Sequence, residues 1–298
     1  MTQIHMMALR HSAFYSPYLM TIAGGYLRDE GLEPVYTVAT PERSVEARMR
    51  QGLCHVAQSA VATSFAALER GEPVDIVHFA QINARDGFFI AARAPDPEFA
   101  WEKLKGRRVL VDHFFQPLAM LKYGLHRAGV DYGEIDAVDA GDVAAIEQAF
   151  RDGQGDYVHL QGPAPQQLAH EGLAHVVAAV GEAVGPVAFS SVCARREWLE
   201  TEMAIAFMRA YRRALAYTIE APAREIAARL TDAGFFSEID PQVLCDTVVA
   251  YRQLACWQRD PTISQASYDN LLDVFSFSGV ITQRHAYGGA VVAPPGGY

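Results

Sequence analysis

Three histidines, His11, His113 and His159, follow short apolar runs in a chain of 298 residues. Imidazole can hydrogen-bond a ligand, transfer a proton near neutral pH or bind a metal. Two of the three have aromatic neighbours: Phe14 and Tyr15 beside His11, and Phe114 and Phe115 beside His113. Aromatic faces suit planar rings and cations. Ser12, Gln58, Ser59, Asn83, Gln116 and Gln161 add neutral donors and acceptors, and Ser190 and Ser191 add two hydroxyls on a later strand. Such a set fits an amide-like or hydroxylated ligand better than a strong anion. The nearby cations are Arg10 and Arg85, and the only helix-start amides on offer lie at 12–17 and 116–118. Each residue also has a plainer reading. The histidines would be polar loop residues at a cleft rim, and the aromatic pairs would pack beneath their own helices.

Other chemistries find less support. No H-x-x-x-H or H-E-x-x-H spacing argues for a metal. No GxGxxG or Walker loop is present, so no cofactor is implied. Asp112 adjoins His113, and Glu182 lies near the end of the second unit; an acid–base pair can be drawn from them, but nothing in the spacing demands it.

These residues need elements to hold them. Ile4–Leu9, 34–39, 54–58, 74–80 and 88–92 read as strands, with helices at 16–29, 41–50 and 60–69 between them. Ser16-Pro17 is a helix-start pair, and Gly31 and Gly71 are stops. The pattern restarts with strands at 109–111, 135–139, 156–160 and 174–180 and helices at 117–128, 143–151 and 165–171. A long strand at 187–194 leads back toward the first unit. From Arg196 to about Ser278 the chain reads as helix, and from Gly288 onward as a loosely held tail. The expected architecture is α/β in two similar units, 1–86 and 87–187, with 188–298 completing the first. Ligands of open α/β sheets bind beyond the carboxyl ends of strands. That rule selects the segments 11–15, 58–60, 81–83, 113–116 and 159–161 as loops facing one cleft.

A net charge of −10 argues against nucleic acid, which needs clustered Lys and Arg. Half the residues are apolar, as in an ordinary globular chain. Cys54, Cys193, Cys245 and Cys256 form no CxxC pair and read as buried free thiols, which fits a reducing compartment slightly better than an oxidising one. No run reaches the ~18 apolar residues of a membrane helix. Ile4–Leu9 is too short for a leader and reads as the first strand. The expected location is cytoplasmic if Met1 is the native start, and periplasmic if a leader has been removed.

Four strings carry a resemblance. Residues 25–32, GYLRDEGL, resemble the "GYF-x-x-EGL" string of the substrate-binding proteins of ABC importers for nitrate, sulfonates and thiamine pyrimidines. Residues 104–109, LKGRRV, resemble their "DLKGK-x-V". Residues 146–157 are similar to their helix–Gly–Asp–strand segment, and 277–281, FSGVI, to their "F-x-G-I/V" close. The resemblance implies a type 2 periplasmic-binding-protein fold, with two lobes joined by two crossing strands, hinge closure on a ligand between them, and an ABC permease as partner. Two enzymes of this kind, the eukaryotic thiamine-pyrimidine synthase and an aromatic sulfinate desulfinase, are poor guides here. The synthase has a run of cysteines plus a lysine and a histidine where Ser59 and Thr63 fall. The desulfinase has a cysteine in the first strand–helix loop, where this chain has Ser12. The expected function is therefore binding of a planar, pyrimidine-like or other small polar ligand. The alternative is a cytoplasmic enzyme on the same fold in thiamine-pyrimidine or related cofactor-precursor metabolism, or a ligand sensor without turnover.

Overall fold

The structure, a computed structural model, describes residues 1–297. Ten strands form two five-stranded sheets: β1 Thr2–Ala8, β2 Leu32–Val38, β3 Val56–Ser59, β4 Ile76–Asn83, β5 Phe88–Ala92, β6 Arg108–Val111, β7 Asp136–Val138, β8 Tyr157–Gln161, β9 His175–Ala179 and β10 Ser190–Arg195. The orders are β2-β1-β3-β10-β4 and β7-β6-β8-β5-β9. Each sheet is a parallel βαβ set with one antiparallel strand inserted. The inserted strands, β5 and β10, are those that follow the two chain crossings. The two sheets thus repeat one topology, as the restart in the sequence pattern suggests.

The crossings run side by side. Val187 N donates to Ala84 O (2.9 Å) and Phe189 N to Asn83 O (3.3 Å), so 83–84 and 187–189 are hydrogen-bonded neighbours. The expected strand at 187–194 therefore begins late, at Ser190, because its first residues belong to the crossing. Close approach there demands glycine. A Cβ on Gly87 would sit 2.4 Å from the Phe14 ring, and one on Gly181 would sit 2.3 Å from Asp86 O.

Other differences from expectation have local causes. The helix expected over 16–29 is two, Ser16–Ala23 and Tyr26–Asp29, because Gly25 takes φ +76° and ends the first. The helix expected from Pro41 starts at Val45, where Ser44 Oγ accepts from Ala47 N (3.2 Å). The segments 81–83 and 159–161 are strand, not loop. Antiparallel pairing of Ser191 with Gln81, Ser190 with Asn83 and Phe88 with Gln161 extends the ladders through them.

The helices Glu202–Glu220, Ala223–Asp232, Pro241–Gln253 and Gln265–Phe277 fill out the C-terminal part. They serve both sheets. Tyr251, fully buried, packs against Phe14 and Phe89, and its hydroxyl donates to Gly162 O (3.2 Å). Phe275 packs against Phe115 with centroids 5.1 Å apart. The tail is less loose than expected: Ala290 and Val291 are buried, and Val292 N donates to His78 O (3.0 Å) on β4. It covers an otherwise open sheet edge. Tyr298 lies outside the described residues. The four cysteines are free; three are buried and Cys245 is half-buried on its helix. Burial pushes the Cys54 thiol up to about 12, so it is unreactive near neutrality.

Candidate functional site

Between the two sheets lies a cavity of about 180 Å³. One wall comes from the end of β1 and the turn behind it, with Leu9, Arg10 and Tyr15, and from Gln58 and Ala60 at β3. The other comes from Phe88 and Gln161 on β5 and β8 and from Phe114, Gln116 and Pro117 at the start of the helix Phe115–Arg127. Phe189 and Ser190 close it at the second crossing. Every wall thus depends on how the two sheets face each other.

The lining is held in place by spent hydrogen bonds. Gln58 Oε1 accepts from Leu9 N (3.0 Å) and Arg10 N (3.4 Å), which pins the exit of β1. Its amide nitrogen donates to Ser59 O (3.3 Å). Ser12 Oγ accepts from Phe14 N (3.2 Å) and donates to Gly162 O (3.0 Å), tying the first turn to the second sheet's loops. Gln116 Nε2 donates to Phe189 O (2.7 Å). Ser190 Oγ donates to Asn83 Oδ1, while Asn83 Nδ2 donates to Phe14 O (2.8 Å). Tyr15 is buried beside Gln161, and that burial raises its pKa above the usual phenol value.

Among the described residues, one ion pair spans the two sheets. Arg10 Nη1 lies 3.2 Å from Asp112 Oδ2, and the guanidinium sits 5.0 Å from the centroid of Phe114. Asp112 Oδ1 also accepts from Phe114 N (2.9 Å), the residue just before the next helix. The sequence marks Arg10 and Asp112 separately and gives no sign that they pair over 102 positions. Arg85 does not line the cavity; its Nη1 donates to Gly181 O (2.9 Å).

The cavity gathers Tyr15, Gln58, Phe114, Gln116, Gln161 and Ser190 from the expected residues. It does not gather the histidines. His11 is exposed, stacks on Phe236 (4.5 Å) and borders a flanking groove with Ser12. Desolvation of its ring lowers its pKa. His113 is turned toward Val111 O (2.8 Å) and Tyr132 (3.4 Å), beside Asp139. His159 is fully buried, stacked on Phe88 (4.8 Å), and neither ring nitrogen has a partner. Burial drives its pKa down to about 4, so the ring is neutral. Phe14 lies wholly in the core below the cavity, where the plainer reading of the aromatic pairs places it. Phe115 packs outward on Phe275. Asn83 is a buried strut, and Ser191 Oγ is bonded to His78 (2.7 Å). Ser59 and Thr63 border a groove on the opposite face with Arg50 and Asp75.

Missing from the sequence reading is Asp86, in the first crossing. It is fully buried; Oδ1 accepts from Phe88 N (2.7 Å) and Oδ2 has no partner. Burial raises its pKa to about 8. An acidic residue between two uncharged strands was the available signal. Of the acid–base set drawn from Asp112, His113 and Glu182, Asp112 and His113 border one groove beside the cavity, where Asp112 is bound to Arg10 and His113 Nδ1 to Val111 O, and Glu182 is exposed elsewhere. Among the described residues no group of three or more His, Cys, Asp or Glu is placed to hold a metal, and no helix is long and apolar enough to cross a membrane.

Comparison with known proteins agrees with this geometry. YtlA of Bacillus subtilis (strain 168), whose name marks it as a candidate binding protein, is 26% identical over 292 residues, covering 96% of this chain and 86% of YtlA. The alkanesulfonate-binding protein SsuA of Xanthomonas axonopodis pv. citri, solved with MOPS, is 16% identical with a TM-score of 0.72, covering 98% of this chain and 99% of SsuA. A ligand-binding component of an ABC-type import system from Staphylococcus aureus, solved with zinc, is 13% identical with a TM-score of 0.74 over 98% of this chain and 97% of its own. The two solved structures, similar along their whole length, share the periplasmic-binding-protein fold with this chain. The sequence profile described as NMT1/THI5 like matches residues 13–225, which is most of the chain, and the chain belongs to that family.

Proposed function

We propose that this chain is the solute-binding component of an ABC-type import system, taking a small planar ligand of the pyrimidine class between two lobes that close on it. The lobes are 1–86 with 188–298, and 87–187. The observation that carries the reading is the cavity, built from both sheets and both crossings. Its size suits a small ligand. A cavity of ~150 Å³ holds one benzene ring, so about 180 Å³ admits a single ring with one or two small substituents. Its walls suit such a ring, with Tyr15, Phe88, Phe114 and Phe189 as faces and three glutamine amides at the edges. The YtlA and Staphylococcus aureus likenesses support the transport role.

Native mass spectrometry of the purified protein, followed by a denaturing run, tests this. The expected result is a one-ring organic molecule at one-to-one stoichiometry, released unchanged. A folded protein that retains nothing, and gives no calorimetric response to small heterocycles, would overturn it.

A further inference from the structure

We infer that the Phe114 ring is a door in the cavity wall, whose rotation about Cα–Cβ admits and releases small molecules while the two lobes stay closed. The inference rests on the binding role proposed above and adds how that site exchanges with solvent. The cavity reaches the surface along a rim of Leu9, Arg10, Ala60 and Phe114, none of them buried. Phe114 is the most exposed of the four, at 53%. Outside lies a groove of about 530 Å³, lined also by Asp139 and Asp142. Cavity and groove have two lining residues in common, Arg10 and Phe114. That pair is the partition between the two spaces.

One half of the partition is fixed and the other swings. Arg10 is tied to Asp112 at 3.2 Å. The Phe114 backbone is tied at both ends, its N donating to Asp112 Oδ1 (2.9 Å) and its O accepting from Leu118 N (3.1 Å). The ring is held far less. Tyr15, Phe88 and Phe189, the other aromatics of the cavity, each pack on a further ring, at 5.6, 4.8 and 5.4 Å. Among the described residues, the Phe114 ring packs on no other ring and meets the Arg10 guanidinium at 5.0 Å. Phe114 stands one residue before the helix Phe115–Arg127, with φ −62° and ψ 146°. This extended backbone frees χ1 from the clash with a preceding helical turn. Exposed side chains change rotamer in picoseconds to nanoseconds. A cation–π contact at an exposed site favours the shut position by a factor of about two to five. The door is therefore shut most of the time, and it opens without breaking a backbone hydrogen bond or the Arg10–Asp112 pair.

The test puts a thiol inside the cavity and times its alkylation. Ser190 lines the cavity and is 1% exposed, so Ser190→Cys supplies the thiol. Iodoacetamide at mildly alkaline pH is the small probe, a polyethylene-glycol maleimide the bulky one, and tandem mass spectrometry reads the introduced thiol apart from the four native ones. In the Ser190→Cys background, Phe114→Ala is expected to speed iodoacetamide labelling about threefold to sixfold, and Phe114→Trp to slow it about twofold. The bulky maleimide is expected to leave the introduced thiol unlabelled in all three proteins. Thermal melts show that each variant is folded; if Ser190→Cys is not, Gln116→Cys carries the thiol instead. Equal iodoacetamide rates whatever stands at position 114, or no labelling of the folded protein at all, would overturn the inference. So would maleimide labelling as fast as that by iodoacetamide, because the lobes themselves would then be opening. The readout uses no ligand, so its failure leaves the binding role standing.

Discussion

Replacing Asp86 by Asn should flatten the alkaline side of the stability profile. Asp86 sits fully buried in the first crossing, and burial raises its pKa from an ordinary 3.8 to about 8. The sign follows from proton counts. Between about pH 4 and 8 the folded chain holds a proton that the unfolded chain has released. Stability therefore falls as pH rises through that window and levels off above it. From pH 6.5 to 8 the loss integrates to about 2 kcal/mol, the slope easing near the folded pKa. For a chain of this size that is roughly 3 °C in Tm. Asn keeps the oxygen that accepts from Phe88 N at 2.7 Å and puts an uncharged nitrogen where Oδ2 now stands unpartnered. The acid side gives a second reading. His78 and His159, held to about 3 and about 4 by burial, stay neutral in the folded chain while the unfolded chain protonates them below pH 6.5. Stability is lost there as pH falls, and Asp86 offsets one histidine's share. Asp86→Asn should thus steepen the profile between pH 4.5 and 6.5 while flattening it above 6.5. Thermal melts across pH 4.5 to 8.5 measure both limbs. A variant with the wild-type slope above pH 6.5 would refute the protonated carboxyl.

Two further outcomes follow from the same interface. Arg10→Ala removes the cross-sheet pair with Asp112 and the contact with Phe114. A charge-assisted hydrogen bond is worth about 1.5–3 kcal/mol, so the balance between closed and open lobes should shift about tenfold to a hundredfold toward open. Small-angle scattering should show a larger radius of gyration for the free variant; superimposable profiles would argue that the pair does not hold the lobes together. Gly181→Ala forces a Cβ to within 2.3 Å of Asp86 O and should cost about 1–3 kcal/mol. Gly288→Ala, with nothing within 4 Å of its Cβ, is the control and should melt with the wild type.

Some elements were plain in the sequence. The strand 88–92 and the helix 143–151 fall where periodicity puts them, the latter because Asp142 caps it through Ala145 N. The duplicated α/β plan and the motif strings pointed to the fold and the family. Elements went astray where a long-range partner decided the local state. Gln81–Asn83 and Gln161 become strand only because Ser190–Ser191 and Phe88 pair with them across the crossings. Pairings such as Arg10 with Asp112 depend on how two sheets face each other, and no local pattern encodes that.

Within the selected segments and the strand 88–92, one-residue choices decided which side chains reach the cavity. Gln58 lines it and Ser59 borders the opposite groove. Phe88 lines it and Phe89 does not; Gln161 does and Leu160 belongs to the core behind the sheet. Successive strand residues point to opposite faces, so knowing a segment without its register leaves each adjacent pair undecided. His159 adds depth to the problem. It shares a sheet face with Gln161, two residues on, and Phe88 lies over it. The same alternation that selects Gln161 aims His159 into the layer beneath, where burial makes it neutral and structural. The histidines looked like the chemistry of this chain because imidazole is versatile. The amides hold the cavity because they sit at the last cavity-facing positions of β3 and β8 and at the start of a helix.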